Sequence, residues 1–300
     1  MIDFASQRRN CAKRIDLALQ GFLTKKQLSG PGVAPDNLVE AIRHGVLNGG
    51  KRLRPVLLIQ SANIFSIGEQ QAKNAAMAIE LVHCYSLIHD DLPAMDDDDL
   101  RRGKPTVHRA YDEATAILAG DALLAHAFEL LSHCDCHPDP QVRINLVMEL
   151  AKASGAAGMV GGQNMDLQGE KIHFSERQIE QMQKMKTGAL IRAAVRMGAI
   201  LGGANKKQLS ALTSYAQAAG RAFQLADDIL DLTASTEQMG KATGKDMAAR
   251  KPTLVSRIGI EAARRHLGDT IHDALSALMM FGPKADGLRA TARFFAERDS

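Results

Sequence analysis

The 300-residue sequence has no tryptophan, three tyrosines and nine phenylalanines, so aromatics reach only 4%. It also lacks runs of β-branched residues, and together these deficits argue against an all-β fold or an extended sheet. Cys11, Cys84, Cys134 and Cys136 are too few and too scattered for a disulfide framework in a chain of this length. No stretch of about 18 uncharged apolar residues occurs, so no membrane span is expected. The balance of 37 basic against 34 acidic residues gives a net charge of +3, too small to indicate a nucleic-acid partner. The first twenty residues mix charges and show no apolar core followed by small residues, so no secretory signal is expected and the reading is cytoplasmic. With 45% hydrophobic residues and no long low-complexity tract, disorder is excluded as well.

What remains suits helices. Apolar residues recur at three- and four-residue spacing over 7–22, 38–47, 55–64, 71–91, 113–132, 141–160, 176–200, 207–232, 252–257 and 260–279. The breaks at 29–37, 137–140, 202–203 and 239–246 carry Gly, Pro, Asn and Asp. None reads as an interdomain linker. The expected architecture is all-α, one large helical bundle spanning 1–300.

The densest chemistry lies in SLIHDDLPAMDDDDLRRG, residues 86–103, which sets Asp90, Asp91 and Asp96–Asp99 directly behind an apolar helix. An acidic run is ordinarily a solvated loop; the apolar helix before it weakens that reading. On an ideal helix Asp90 and Asp96 stand about 240° apart, so sharing one ion requires a turn, and Pro93 supplies the break. The second cluster, QLADDILD, places Gln224, Asp227, Asp228 and Asp231 on one polar stripe of an otherwise apolar helix. Carboxylate-only donor sets favour hard cations such as Mg2+, which completes its shell with water and phosphate oxygens. GGKRLRP, residues 49–55, adds Lys51, Arg52 and Arg54 beside two glycines, a pattern fit for phosphate. His83 lies two turns before Asp90, about 20° off its face. Arg101 and Arg102 follow the acids at once, and Lys186-Thr187-Gly188 opens a later helical stretch. His133-Cys-Asp-Cys-His137 is a weak soft-metal pattern without a second ligand pair. The thirteen methionines read as core filler.

These motifs occur in order with HCYSLIHDDLPAMDDDDLRRGKPTVH (83–108), GGQNMD (161–166), KTGALIRAAVRMGA (186–199), FQLADDILD (223–231) and GKATGKDMAARKPT (240–253). The set resembles the trans-isoprenyl diphosphate synthases, of the bacterial short-chain type that makes farnesyl diphosphate. The resemblance implies an all-α fold of the isoprenoid synthase type around a deep cavity, usually homodimeric. It implies three Mg2+ ions on Asp90, Asp96, Asp227 and Asp231, supported by Asp91 and Asp228. An allylic diphosphate would be gripped with Arg101, Lys186, Lys241 and Lys251, and isopentenyl diphosphate by Lys51, Arg54, His83 and Arg102. Lys186, Thr187 and Gln224 would face the developing cation. An aromatic residue five places before the first aspartate resembles the pattern that ends growth at fifteen carbons. Tyr85 fits, about 7.5 Å below Asp90, although ideal helix angles place Ser86 more directly beneath it. Pro252 departs from the small residue usual after Lys251, and the tail from about Phe281 carries no usable motif. Geranyl or geranylgeranyl diphosphate synthesis, a Mg2+-dependent terpene cyclase or diphosphate hydrolase, and a non-catalytic partner subunit are the alternatives.

Overall fold

A computed structural model describes residues 4–169, 172–239 and 254–296, with the backbone alone at 231–239, 254 and 256. Backbone proximity divides the chain into two compact units, 1–148 with 200–202 and 149–199 with 203–300.

The first unit begins with α1 (Phe4–Phe22), α2 (Lys25–Leu28), α3 (Asp36–Val46), α4 (Leu53–Ile64) and α5 (Glu69–Asp90). A short hairpin follows, β1 (Leu100–Arg101) with β2 (Lys104–Pro105), then α6 (Val107–Ala110) and α7 (Glu113–Ser132). Helix α5 starts where the Gln71 side chain accepts the Gly68 N–H at 2.9 Å, and α7 where Asp112 accepts the Thr115 N–H at 2.7 Å. Both bonds satisfy amide donors that a helix start leaves open. Helices α4, α5 and α7 pack together through residues such as Leu57, Leu58, Ile79, Leu81 and Leu123, all fully buried. Among the described residues α7 is the one helix long and apolar enough, by length and composition alone, to cross a membrane.

Helix α8 (Pro140–Ser154) runs through the boundary at 148. The second unit continues with α9 (Met159–Gly169), α10 (Glu176–Gln183), a π-helical segment (Lys184–Gly188), α11 (Ala189–Leu201) and α12 (Lys206–Met239). It ends in α13 (Leu254–Ile258), α14 (Ile260–Ala277), a 3-10 segment (Met279–Ala285) and α15 (Asp286–Ala296). The periodicity over 141–160 thus divides between α8 and α9. The tail, silent in sequence, has a packing role. Phe295 is fully buried with its ring 5.3 Å from Phe223, the residue before Gln224, and the Tyr215 hydroxyl donates to the Leu288 carbonyl at 2.7 Å. A fully buried Phe such as Phe295 contributes about 1.5–3 kcal/mol, so α15 fixes the helix that carries the second acidic stripe.

Candidate functional site

The regular part of α5 stops at Asp90, three residues before Pro93. The chain then curls on backbone bonds: Met95 N–H to Leu92 C=O at 2.8 Å, Asp97 N–H to Leu92 C=O at 3.2 Å, and Asp96 N–H to Asp90 C=O at 2.9 Å. The last of these returns Asp96 to Asp90, the turn that the spacing required.

The neighbouring Asp91 is only 3% exposed and accepts from Arg101 Nε at 2.6 Å, while Arg101 Nη2 also reaches Asp98 at 3.2 Å. Burial raises the Asp91 carboxyl above its ordinary value, and the hydrogen bond and charge of Arg101 oppose that shift. Within one motif, then, Asp91 ties the loop to Arg101. The hairpin that presents Arg101 turns at Arg102 and Gly103, with φ of 55° and 76°, the left-handed pair of a type I′ turn. Two side chains hang it on the end of α3: Asn48 Nδ2 donates to Arg101 C=O at 3.0 Å and His44 Nε2 to Pro105 C=O at 2.7 Å.

The basic motif separates in the same way. Arg52 is 2% exposed and is spent inside the protein. Its Nε bonds Asp16 at 2.7 Å, Nη1 bonds Glu80 at 2.8 Å, and Nη2 donates to Val46 C=O at 2.6 Å. Burial works against its charge, but Glu80 and Asp16 outweigh that and hold its pKa above the usual arginine value. Arg54, half-buried, keeps an Nε with no hydrogen-bond partner among the described residues. Arg102 lies across Gly50, where a β carbon would stand 2.7 Å from its Nη1, and donates to Gly49 C=O. Gly50 also has φ of 137°, so no other residue fits there without strain. His83 is held well below the ordinary histidine value by burial first, then by Arg54, Arg102, Arg52 and Arg101. Arg52 and Arg101 are paired with carboxylates, so Arg54 and Arg102 are the cations beside this imidazole whose charge would favour an anion. Lys51 is exposed at the same turn.

In the second unit Asp228 is 4% exposed and accepts from Gln224 Nε2 at 2.9 Å and Gln183 Nε2 at 3.0 Å. Asp227, one residue earlier, is half-buried. Lys186 and Thr187 belong to the π-helical segment, a geometry frequent at functional sites because it displaces side chains from the regular helical register. Lys186 Nζ bonds Asp166 at 2.6 Å. The Asp231 side chain, Lys241 and Lys251 lie outside the described residues.

Tyr85 is buried, and its hydroxyl is pushed up to about 12 by burial and then by the charge of Asp90. Ser86 is half-buried and donates to His83 C=O at 2.9 Å. Four partners were not singled out from sequence: Asp16 and Glu80 beneath Arg52, Asp166 beneath Lys186, and Gln183 beside Asp228. Only Asp166 left a signal, as the last residue of GGQNMD.

The donor set fits a hard cation. The main-chain bond closes one turn between Asp90 and Asp96, both of which offer carboxylate oxygens, while the adjacent His89 commits Nε2 to the Ile117 carbonyl at 3.0 Å. Oxygen donors of this kind suit Mg2+ rather than a soft ion. The His133–Cys134–Asp135 run sets three donor atoms within 4.8 Å of one another, all on exposed residues, and Cys136 is buried with its thiol pushed up to about 11 by burial.

A family model described as polyprenyl synthetase matches residues 35–277. Over 99% of this chain and 100% of the relative, the sequence is 43% identical to farnesyl diphosphate synthase of Escherichia coli K12. It is 42% identical to a chloroplastic geranylgeranyl pyrophosphate synthase of Catharanthus roseus, covering 99% of this chain and 82% of that one. An apo crystal structure of an FPP/GFPP synthase from Zymomonas mobilis superposes with a TM-score of 0.86 at 41% identity, over 98% of each chain.

Proposed function

The chain belongs to the polyprenyl synthetase family and has its all-α isoprenoid synthase fold, and from that premise we propose that it condenses isopentenyl diphosphate with dimethylallyl and then geranyl diphosphate to give farnesyl diphosphate. The enzyme is a metal-dependent prenyltransferase, and 1–300 acts as a single catalytic domain. The observation that carries this reading is the turn returning Asp96 to Asp90, and the positive charge of Arg54 and Arg102 near His83 supports it.

Asp90, Asp96, Asp227 and Asp231 would hold Mg2+, three ions in all. The ions would neutralise charge gathering on the leaving diphosphate. Asp91, with Arg101, holds the first acidic loop in place. Asp228, clamped by Gln183 and Gln224, steadies the helix that presents Asp227. Lys186, Lys241, Lys251 and Arg101 grip the allylic diphosphate. Lys51, Arg54, His83 and Arg102 bind isopentenyl diphosphate, so that positioning replaces a bimolecular encounter. The Lys186 backbone carbonyl, Thr187 hydroxyl and Gln224 amide oxygen face the allylic cation as its carbon–oxygen bond breaks. Its attack on the isopentenyl double bond forms the new carbon–carbon bond, and the proton passes to released diphosphate. Tyr85, with Ser86 beside it, forms the floor that ends growth.

Incubating purified protein with dimethylallyl and isopentenyl diphosphates and Mg2+ is expected to yield a fifteen-carbon product. A dominant twenty-carbon product would transfer it to geranylgeranyl synthesis. Release of diphosphate at the same rate without isopentenyl diphosphate would indicate a cyclase or hydrolase. Lys51→Ala is expected to raise KM for isopentenyl diphosphate by roughly tenfold, the loss of one charge-assisted hydrogen bond, with turnover at saturation little changed.

The active form is a homodimer. Helix α7 bares Leu118 (55% exposed), and α8 bares Ile144 and Met148 one turn apart. Exposed apolar residues on these consecutive helices suit an isologous contact. Leu118→Glu with Met148→Glu is expected to convert a dimer into a monomer in sedimentation equilibrium. The cytoplasm suits the four free thiols; burial pushes those of Cys11 and Cys84 up to about 11 and about 12, which keeps them protonated.

A further inference from the structure

Tyr85 and His89 stand one turn apart on α5, and their rings meet edge to face with centroids 5.7 Å apart. The imidazole is fixed from the other side by α7. Its Nε2 donates to Ile117 C=O at 3.0 Å, so the proton sits on Nε2. It also occupies the space of an absent side chain: a β carbon at position 120 would stand 2.8 Å from His89 Cε1 and nearer still to Nε2. Gly120 lies mid-helix in α7 with no positive φ to require glycine. Its conformational cost of about 0.5–1 kcal/mol relative to alanine therefore has a packing reason, the notch that admits the imidazole.

We propose that His89 is a specificity-positioning residue: seated in the Gly120 notch and hydrogen-bonded to Ile117, it braces the Tyr85 ring and so keeps the chain-length floor closed. The inference rests on the reading of Tyr85 as that floor. The brace acts through geometry. Tyr85 can leave its position by rotation about its side-chain torsions, and the His89 ring packed edge to face against it opposes that rotation. The control of product length then extends from the floor at Tyr85 and Ser86 to His89 and Gly120, which do not touch the growing prenyl chain.

The test compares products formed from dimethylallyl and isopentenyl diphosphates with Mg2+ by His89→Ala, Gly120→Ala, the double variant and Tyr85→Ala. Helical content and the rate of the first condensation are measured alongside. Removing the brace is expected to raise the twenty- to fifteen-carbon ratio about tenfold, the scale of a methylene-sized change in an apolar pocket. Gly120→Ala shifts the ratio in the same direction when His89 is present and adds nothing in the His89→Ala background, because the methyl then fills the vacated notch. If His89→Ala slows every step equally and leaves the ratio unchanged while Tyr85→Ala raises it, the brace is wrong and the floor stands. If Tyr85→Ala leaves the ratio unchanged, the floor reading falls and the brace with it. Should Gly120→Ala fail to fold, His89→Ala against Tyr85→Ala decides alone.

Discussion

Replacing Asp90 with alanine is expected to lower turnover by about 10³- to 10⁴-fold, the equivalent of roughly 4–5.5 kcal/mol of transition-state stabilisation, while helical content stays unchanged. The fold survives because the acidic turn is closed by backbone groups. The Asp96 N–H bonds the Asp90 carbonyl, and the bonds to Leu92 are likewise main-chain, and an alanine at position 90 keeps all of these groups. Activity does not survive because the adjacent carboxylate cannot take over. Asp91 is buried and tied to Arg101, and freeing it would strand a buried charge. Steady-state turnover with saturating substrates and Mg2+ checks this, with the helical signal of the same samples as control. A variant retaining more than a tenth of wild-type turnover would remove Asp90 from the metal ligands. Chelating the divalent ion should abolish turnover of the unaltered enzyme, and added Mg2+ should restore it.

Arg52→Ala should act on stability. The substitution strands Glu80, which is almost fully buried and already has one unpartnered oxygen, and deletes the donor to Val46 C=O. Breaking a buried pair by removing one partner costs about 3–5 kcal/mol, a large fraction of the roughly 5–15 kcal/mol that holds a domain folded. Alanine recovers none of the cost of the left-handed backbone at this position, φ of 45°, because it keeps the β carbon that makes that region unfavourable. The expected result is a much lower denaturant midpoint for Arg52→Ala. The exposed neighbour Lys51→Ala should stay within about 0.5 kcal/mol of the unaltered protein. Equal midpoints for the two variants would mean that Glu80 is not held as an ion by Arg52.

The contrast between those two neighbours marks the reach of sequence reading. Local rules worked wherever the determining forces are local. The three- and four-residue period located α7 at 113–132 and α14 to within two residues, Pro93 ended α5, and the spacing of Gln224, Asp227 and Asp228 gave a stripe on α12. The hairpin at 100–105 escaped because its turn needs left-handed backbone at Arg102, a residue type that does not advertise it. The π-helical segment escaped because 176–201 keeps its apolar periodicity straight through 184–188.

The sequence alone therefore determined the helical class, the two acidic motifs, the basic motif and, through their order along the chain, the family. Tertiary structure alone decided which member of each motif meets solvent and which is a strut. Arg52 finds Asp16 and Glu80 across 36 and 28 residues, Gln183 finds Asp228 across 45, and Arg101 secures Asp91 only once the hairpin folds back. Charge and residue type are the same for the buried strut Asp91 and its half-buried neighbour Asp90. The two roles separate only when packing removes one side chain from water and supplies it with a partner distant in sequence.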